Sequence, residues 1–440
     1  MEYLTPNFTK DMLQDYTVLV PNMCPIQFRL VKAAMESEGY HKVELLGSAN
    51  SEVTQNGLRY VHNDTCYPAL IIIGQFLEAL DSGKYDLDHT ALIISQSGGG
   101  CRASNYIKLL RKALVRSGHA NIPVASANVN GLEEGSMMPW TKKMILKTLA
   151  AIEYGDLIFA LRNEAHAYEI NKGDSDKMVE KWLTILDEDI RHSKNYLPTS
   201  YNKMFNRIAK DFSTIPLDRK PKVKVGVVGE IYVKFSPTGN NDLLHFLESQ
   251  DCEVNMPGLM GYVEYCCANY ALDTKLYGMD PKMGKLAGYA LKLLNHYGFL
   301  QSKAMRKYGF YGPGKFTELM KKPEGILSLG TKMGEGWLLT GEMLELIEAG
   351  YANIVCAQPF GCLPNHIAGK GVINKIREIH SDANITPVDY DPGASETNQT
   401  NRIKLLMTVA KDNLELKNKL KKATEFENSE DVNKKEFFKK

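Results

Sequence analysis

The sequence predicts an α/β protein built from two similar Rossmann-like, doubly wound domains joined by a helical linker or subdomain. Three observations carry this. Apolar runs of strand length alternate with helix-length stretches along most of the 440 residues, the pattern of a parallel sheet covered on both faces. A segment occurs twice, as Gly74-Gln-Phe-Leu-Glu-Ala-Leu-Asp-Ser-Gly83 and as Gly341-Glu-Met-Leu-Glu-Leu-Ile-Glu-Ala-Gly350. Each copy leads through an apolar run to a glycine–cysteine pair, Gly100-Cys101 and Gly361-Cys362, and then to a matching strand, Ala120-Asn-Ile-Pro-Val and Ala383-Asn-Ile-Thr-Pro-Val. A duplication of this kind implies two similar domains that face each other.

The elements follow in order. Thr17-Val-Leu-Val-Pro21 reads as a short buried strand. Phe28, Leu30, Val31, Ala34 and Met35 suggest a helix that ends near Gly39. Val43-Glu-Leu-Leu46 is a second strand, and Cys66-Tyr-Pro68 precedes a helix from Ala69 to about Leu80. Ala91-Leu-Ile-Ile94 is a strand with the loop Ser97-Gly-Gly-Gly100 at its carboxyl end. An amphipathic helix from Asn105 to Ser117 and the strand Ile122-Pro-Val-Ala125 complete the first domain, residues 14–136. In residues 137–220, Trp140, Met144, Ile145, Leu149 and Ile152 lie near helical spacing, which marks the linker or subdomain; Pro216 to Pro221 closes it. Val223-Lys-Val-Gly-Val-Val228 opens the second domain, residues 221–410, whose later strands are Cys252-Glu-Val-Asn255, Ile354-Val-Cys-Ala357 and Ile385-Thr-Pro-Val388. Residues 411–440 are rich in Lys, Asn and Glu and read as a charged tail, either a frayed helix or disordered, with no chemistry of its own.

Composition narrows the function. Hydrophobic residues make up 44% and the net charge is +1, which argues against nucleic acid as a partner. No run of 18 apolar residues occurs, so no membrane span is expected. The segment Met1-Glu-Tyr-Leu-Thr-Pro6 lacks the basic and apolar regions of a signal peptide. The expected location is therefore the cytoplasm, where the eight cysteines serve as thiols or metal ligands rather than disulfides.

None of the cysteines forms a CxxC pair, so zinc ribbons, thioredoxin-like sites and ferredoxin runs fit poorly. Their contexts say more. Cys24 follows a strand and precedes Pro25; Cys66 precedes a helix; Cys101 and Cys362 sit at strand-to-helix turns beside glycines. Ligands bind at the carboxyl ends of strands in doubly wound sheets. Helix N-termini and backbone amides there offset the negative charge of thiolates and sulfides. Taken singly, any of these cysteines reads as a small buried residue. Taken together, Cys24, Cys66, Cys101 and Cys362 read as the ligands of a metal cluster shared between the halves. Cys252 begins a strand and reads as structural. Cys266 and Cys267 are adjacent in a helix and point about 100° apart, so at most one faces a shared site.

The segments Asn63-Asp-Thr-Cys-Tyr-Pro68, Gly98-Gly-Gly-Cys-Arg-Ala-Ser-Asn-Tyr106, Gly229-Glu-Ile-Tyr-Val-Lys-Phe-Ser-Pro237, Gln358-Pro-Phe-Gly-Cys-Leu-Pro-Asn-His366 and Asp389-Tyr-Asp-Pro-Gly-Ala-Ser-Glu396 resemble the 2-hydroxyacyl-CoA dehydratase superfamily. The resemblance spans roughly residues 15 to 410 and lies closest to its double-cubane cluster proteins and acyl-CoA dehydratase activase-related proteins. It implies a cytoplasmic, homodimeric iron–sulfur protein of anaerobes. It also implies a partner, a dimeric ATPase with its own [4Fe–4S] cluster that delivers electrons of very low potential. The implied activity is that of an oxidoreductase: reduction of a small-molecule substrate at a double-cubane [8Fe-9S] cluster with three cysteines per cubane. The first half then supplies Cys24, Cys66 and Cys101, and the second Cys266, Cys356 and Cys362, with Cys267 in reserve for Cys266. The repeat is imperfect here: Met333 aligns opposite Cys66, and Cys356 opposite Ser95. Two alternatives stand beside this reading: a dehydratase subunit with one [4Fe–4S] cluster and a CoA-sized cleft, and a non-catalytic electron carrier.

Arg102 follows Cys101 at a helix start and is a candidate donor to cluster sulfides or an anionic substrate. His366, four residues past Cys362, is a candidate proton donor, as are Glu264, His62 and Lys234. Neither GxGxxG nor a GxxxxGKS or GxxxxGKT loop occurs, so nicotinamide and direct ATP binding are not expected. Tyr311-Gly-Pro-Gly-Lys-Phe316 echoes a phosphate loop only superficially.

Overall fold

The computed structural model describes residues 5–47, 50–62, 65–97, 99–127 and 138–437, with the side chains of its last helix described to residue 421. Strands β1 (Thr17–Pro21), β2 (Lys42–Leu46), β3 (Thr90–Ser95) and β4 (Val124–Ala127) form a parallel sheet in the order β2-β1-β3-β4. Val18 pairs with Val43 on one side and Ala91 on the other. Helices α1 (Pro25–Glu36), α2 (Ser51–Tyr60), α3 (Tyr67–Asp81) and α4 (Tyr106–Ser117) connect and cover these strands. β3 is buried from Thr90 to Ile94, as a strand covered on both faces must be.

Three helices follow, α5 (Lys142–Tyr168), α6 (Asp174–Arg191) and α7 (Pro198–Phe212). They form the helical subdomain expected between the domains. Their core, with Tyr154, Trp182, Tyr201 and Phe205, packs on Leu30 and Ala33 of α1 and on Tyr297 and Met305 further along the chain.

The second α/β unit comprises β5 (Val223–Gly229), α8 (Ile231–Phe235), α9 (Leu243–Ser249), β6 (Cys252–Asn255), α10 (Met260–Tyr277), α11 (Pro281–Lys307), α12 (Phe316–Leu319), α13 (Trp337–Glu348), β7 (Asn353–Pro359), α14 (Ile373–Ile379), β8 (Asn384–Tyr390) and α15 (Glu396–Phe437). Its sheet is also parallel, in the order β6-β5-β7-β8. The two orders are the same, so the repeat read at residues 74–83 and 341–350 extends to strand topology, with α3 and α13 as equivalents. α15 packs Ile403, Leu406, Met407 and Ala410 on the second unit, then runs on as one helix through the charged segment to Phe437. No helix among the described residues is long and apolar enough to cross a membrane.

α2 is absent from the sequence expectation. Asn50 caps it by accepting from the Val53 N–H at 3.0 Å. Its inner face is Val53 and Gly57, and α3 meets it at Gly74, where an added Cβ would lie 2.0 Å from the Val53 carbonyl oxygen. Backbone packs on backbone here, so Gly74→Ala is expected to cost about 3 kcal/mol through overpacking. Denaturant unfolding checks it; a midpoint equal to wild type would show that the helix pair separates freely.

Candidate functional site

The carboxyl ends of β3, β7 and β8 open onto one cavity of about 1020 Å³. Its walls come from both halves: Thr65–Tyr67 ahead of α3, Gly100–Arg102 after β3, Met333, Phe360–Pro364 after β7, and Asp389 and Asp391 at the end of β8. Three cysteines line it: Cys66, Cys101 and Cys362. The repeat accounts for this placement. Cys101 and Cys362 follow equivalent strands, and Met333 stands in the wall as the second-half counterpart of Cys66.

Local structure presents each sulfur to hydrogen-bond donors. Cys66 occupies the N-cap of α3, with Pro68 in the first turn. Its sulfur accepts from Tyr106 Oη at 3.2 Å and from the Ala69 N–H. Cys101 accepts from the Arg102 and Ala103 N–H groups. Cys362 accepts from the Asn365 N–H and from Asn365 Nδ2 at 3.3 Å. Gly361 precedes it with φ of +70°, a conformation that favours glycine. Gly100 packs tightly on the other half, since a Cβ there would lie 2.3 Å from Met333 Sδ.

Burial pushes all three thiols up, Cys66 to about 12, and the donors oppose that rise. Glu230 adds to the rise at all three, and the buried Glu335 adds to it at Cys101 and Cys362. Glu230 caps α8 by accepting from the Val233 N–H at 2.8 Å, and burial, then Glu335, raises its pKa to about 8. Glu335 accepts from the Ile231 N–H at 2.9 Å and from Asn365 Nδ2 at 3.4 Å, so Asn365 links Glu335 to Cys362. Neither carboxyl figured as a candidate in the sequence. Glu230 had a readable signal, standing right after a strand at a helix start in one of the quoted segments. Glu335 lies in an irregular segment without periodicity.

The other candidates lie elsewhere. Cys24 caps α1 at 1% exposure and packs in a core with Val233 and Phe235. Cys266 packs against the Tyr265 and Trp337 cluster, and Cys267 between that cluster and the helical core. Cys356 is fully buried on β7, turned toward Gly369, where an added Cβ would lie 3.1 Å from its sulfur. Arg102 lines the cavity and is exposed. His366 is half-buried in a π-helical turn, outside the cavity wall, and its Nε2 has no partner among the described residues. Of the remaining proton-donor candidates, Lys234 pairs with Glu342 at 3.2 Å, and His62 is not among the wall residues. Glu264 borders a second cavity, and burial, then Asp156, raises its pKa to about 8.

No group of three or more His, Cys, Asp or Glu side chains among the described residues is arranged to hold a single metal ion. Cys66, Cys101 and Cys362 share the wall of one wide cavity. Neither a protein-family model nor a curated protein matches the chain.

Close to Glu264 lies Glu153 of α5, 1% exposed, with both carboxyl oxygens unpartnered among the described residues. Burial raises its pKa well above 4.5, helped by Asp156 and Glu264. Its folded value exceeds the unfolded one. The fold therefore loses stability as pH climbs from the unfolded value toward the folded one, by up to about 1.4 kcal/mol per pH unit. Glu153→Gln is expected to raise the melting temperature more at pH 8 than at pH 5; equal gains at both would contradict a protonated Glu153.

Proposed function

We propose that the chain is the cluster-bearing component of an ATP-dependent reductase. It holds an iron–sulfur cluster on Cys66, Cys101 and Cys362. It accepts low-potential electrons from an ATP-hydrolysing partner with its own [4Fe–4S] cluster, and reduces a small molecule bound in the same cavity. The observation that carries this reading is the convergence of three cysteines from both halves on one large cavity at the strand ends. Cys66, Cys101 and Cys362 bind as thiolates, and the surrounding N–H groups, Tyr106 and Asn365 offset their charge. Such a cluster, held by Cys66, Cys101 and Cys362, would supply one-electron transfer to the substrate. Glu230, which lies outside the cavity wall but whose charge bears on all three sulfurs, is the group suited to hold a proton on its carboxyl.

The same geometry favours a single [4Fe–4S] cluster. A double cubane on six cysteines requires Cys24, Cys266 and Cys356 to turn into the cavity. The dehydratase reading needs cations for the phosphates of CoA. Among the described residues the wall offers Arg102 alone, against Asp389 and Asp391, which suits a small substrate of low charge.

Iron and acid-labile sulfide per chain, measured on anaerobically purified protein, test the proposal. About four of each supports the three-cysteine site. About eight irons with nine sulfides supports the double cubane. Intact air-free protein without iron overturns both.

A further inference from the structure

The second cavity, about 170 Å³, opens at the carboxyl end of β6, among α5, α10, α11 and α13. Five carboxylates reach it: Asp156, Glu164, Glu264, Glu342 and Glu345. Three of them are matched by cations. Glu342 pairs with Lys234 at 3.2 Å, Glu164 with Arg219 at 2.7 Å and Glu345 with Lys322 at 3.8 Å. Asp156 accepts from neutral donors, Gln27 Nε2 at 2.8 Å, the Met260 N–H at 2.7 Å and the Leu259 N–H, and Lys234 acts on it without a direct contact. Glu264 is 8% exposed, and its Oε1 has no partner among the described residues. A buried carboxyl without a partner is costly, and a ligand that brings positive charge and N–H donors removes that cost.

Two further features point to an occupant. Gly261 of α10 and Gly298 of α11 border the cavity, and a Cβ at either would meet nothing within 4 Å. Glycine inside a helix is disfavoured relative to alanine, and no neighbouring protein atom demands it at these positions. The absent side chains keep the cavity open. The loop Tyr311–Phe316, which echoes a phosphate loop, forms one wall. Its N–H groups are taken by carboxylates: Tyr311 donates to Glu164 at 2.7 Å and Gly314 to Glu345 at 2.9 Å. The one cation of the wall among the described residues, Lys315, is exposed and lies over the Phe299 ring. Anions are repelled here, while Tyr311, Phe316 and Leu338 offer apolar and aromatic surface to the body of a ligand.

We propose that this cavity binds a small organic cation, a protonated amine or a guanidinium compound with an apolar body, its charged end on Glu264 and Asp156. The site is separate from the cysteine cavity and stands whether or not a cluster binds there. A single metal ion is not the ligand class, since no three ligating side chains among the described residues are arranged for one.

Isothermal titration calorimetry of the full-length chain with phenethylammonium, and with phenethyl alcohol as its uncharged analogue, tests this. The amine is expected to bind at least about tenfold more tightly than the alcohol. Glu264→Gln is expected to abolish the difference. Gly298→Leu, whose Cβ enters open space at the cavity edge, is expected to block binding while the thermal melt shows a folded chain. The proposal is overturned by equal binding of amine and alcohol, by amine binding retained in folded Gly298→Leu, or by no amine binding up to about 10 mM.

Discussion

If the proposed cluster sits on Cys66, Cys101 and Cys362, chains carrying Cys66→Ser, Cys101→Ser or Cys362→Ser are expected to retain roughly a tenth or less of the wild-type iron, whereas Cys24→Ala and Cys356→Ala are expected to retain nearly all of it. The contrast follows from where each sulfur points. The first three line one cavity, and each meets backbone N–H groups that favour its thiolate. Cys24 and Cys356 are sealed in apolar packing, where burial raises the thiol pKa with no hydrogen-bond donor among the described residues to oppose it and no metal reaches it without rearrangement. Iron analysis and the visible absorption of anaerobically purified protein read the effect. Loss of iron in Cys356→Ala equal to that in Cys362→Ser would sink the three-cysteine assignment and favour the six-cysteine one.

Lys234→Met destabilises the chain by about 3–5 kcal/mol, because it strands a buried carboxylate. Lys234 of α8 and Glu342 of α13 are both buried, and Nζ lies 3.2 Å from each carboxylate oxygen. Burial raises the pKa of Glu342, and Lys234 opposes that rise. Removing the lysine leaves Glu342 to protonate or to draw in water, beside the equally buried Glu335. Replacing the pair together, as Lys234→Met with Glu342→Leu, recovers most of the loss, since no charge is then left uncompensated. Denaturant unfolding of both variants at pH 7 is the measurement. A double variant no more stable than Lys234→Met would mean that the pair contributes through packing rather than charge.

The strands were legible in the sequence because a parallel strand buried on both faces is a short continuous apolar run, as in Ala91-Leu-Ile-Ile94. The shared topology was legible because its repeat ends both times in a glycine–cysteine pair. α2 was not, since its contact surface is a glycine and a single valine rather than an apolar stripe. Cys101 and Cys362 were readable from the repeat, and Cys66 from the proline of its helix start. Cys24 occupies an equally suggestive strand end, yet it turns into the core shared with Val233 and Phe235, a tertiary contact that no local pattern encodes. Cys356 lies within β7, where it faces the turn at Gly369 and not the strand end. Glu264, two residues from Cys266, reads as a neighbour of the cluster, but α10 carries it to the other cavity.

Cys66 and Cys101 belong to one half of the chain and Cys362 to the other; the halves also meet where Cys24 packs with Val233 and Phe235, where Tyr232 joins the first core, and through the helical layer that packs on both. A metal cluster on these sulfurs, as proposed, would therefore be a rivet. Metal–sulfur bonds would have to break before the two sheets could part, and occupancy would add its binding free energy to the cohesion of the whole molecule. If the proposed cluster is held there, its insertion would add one crosslink between the halves to the direct packing that already joins them.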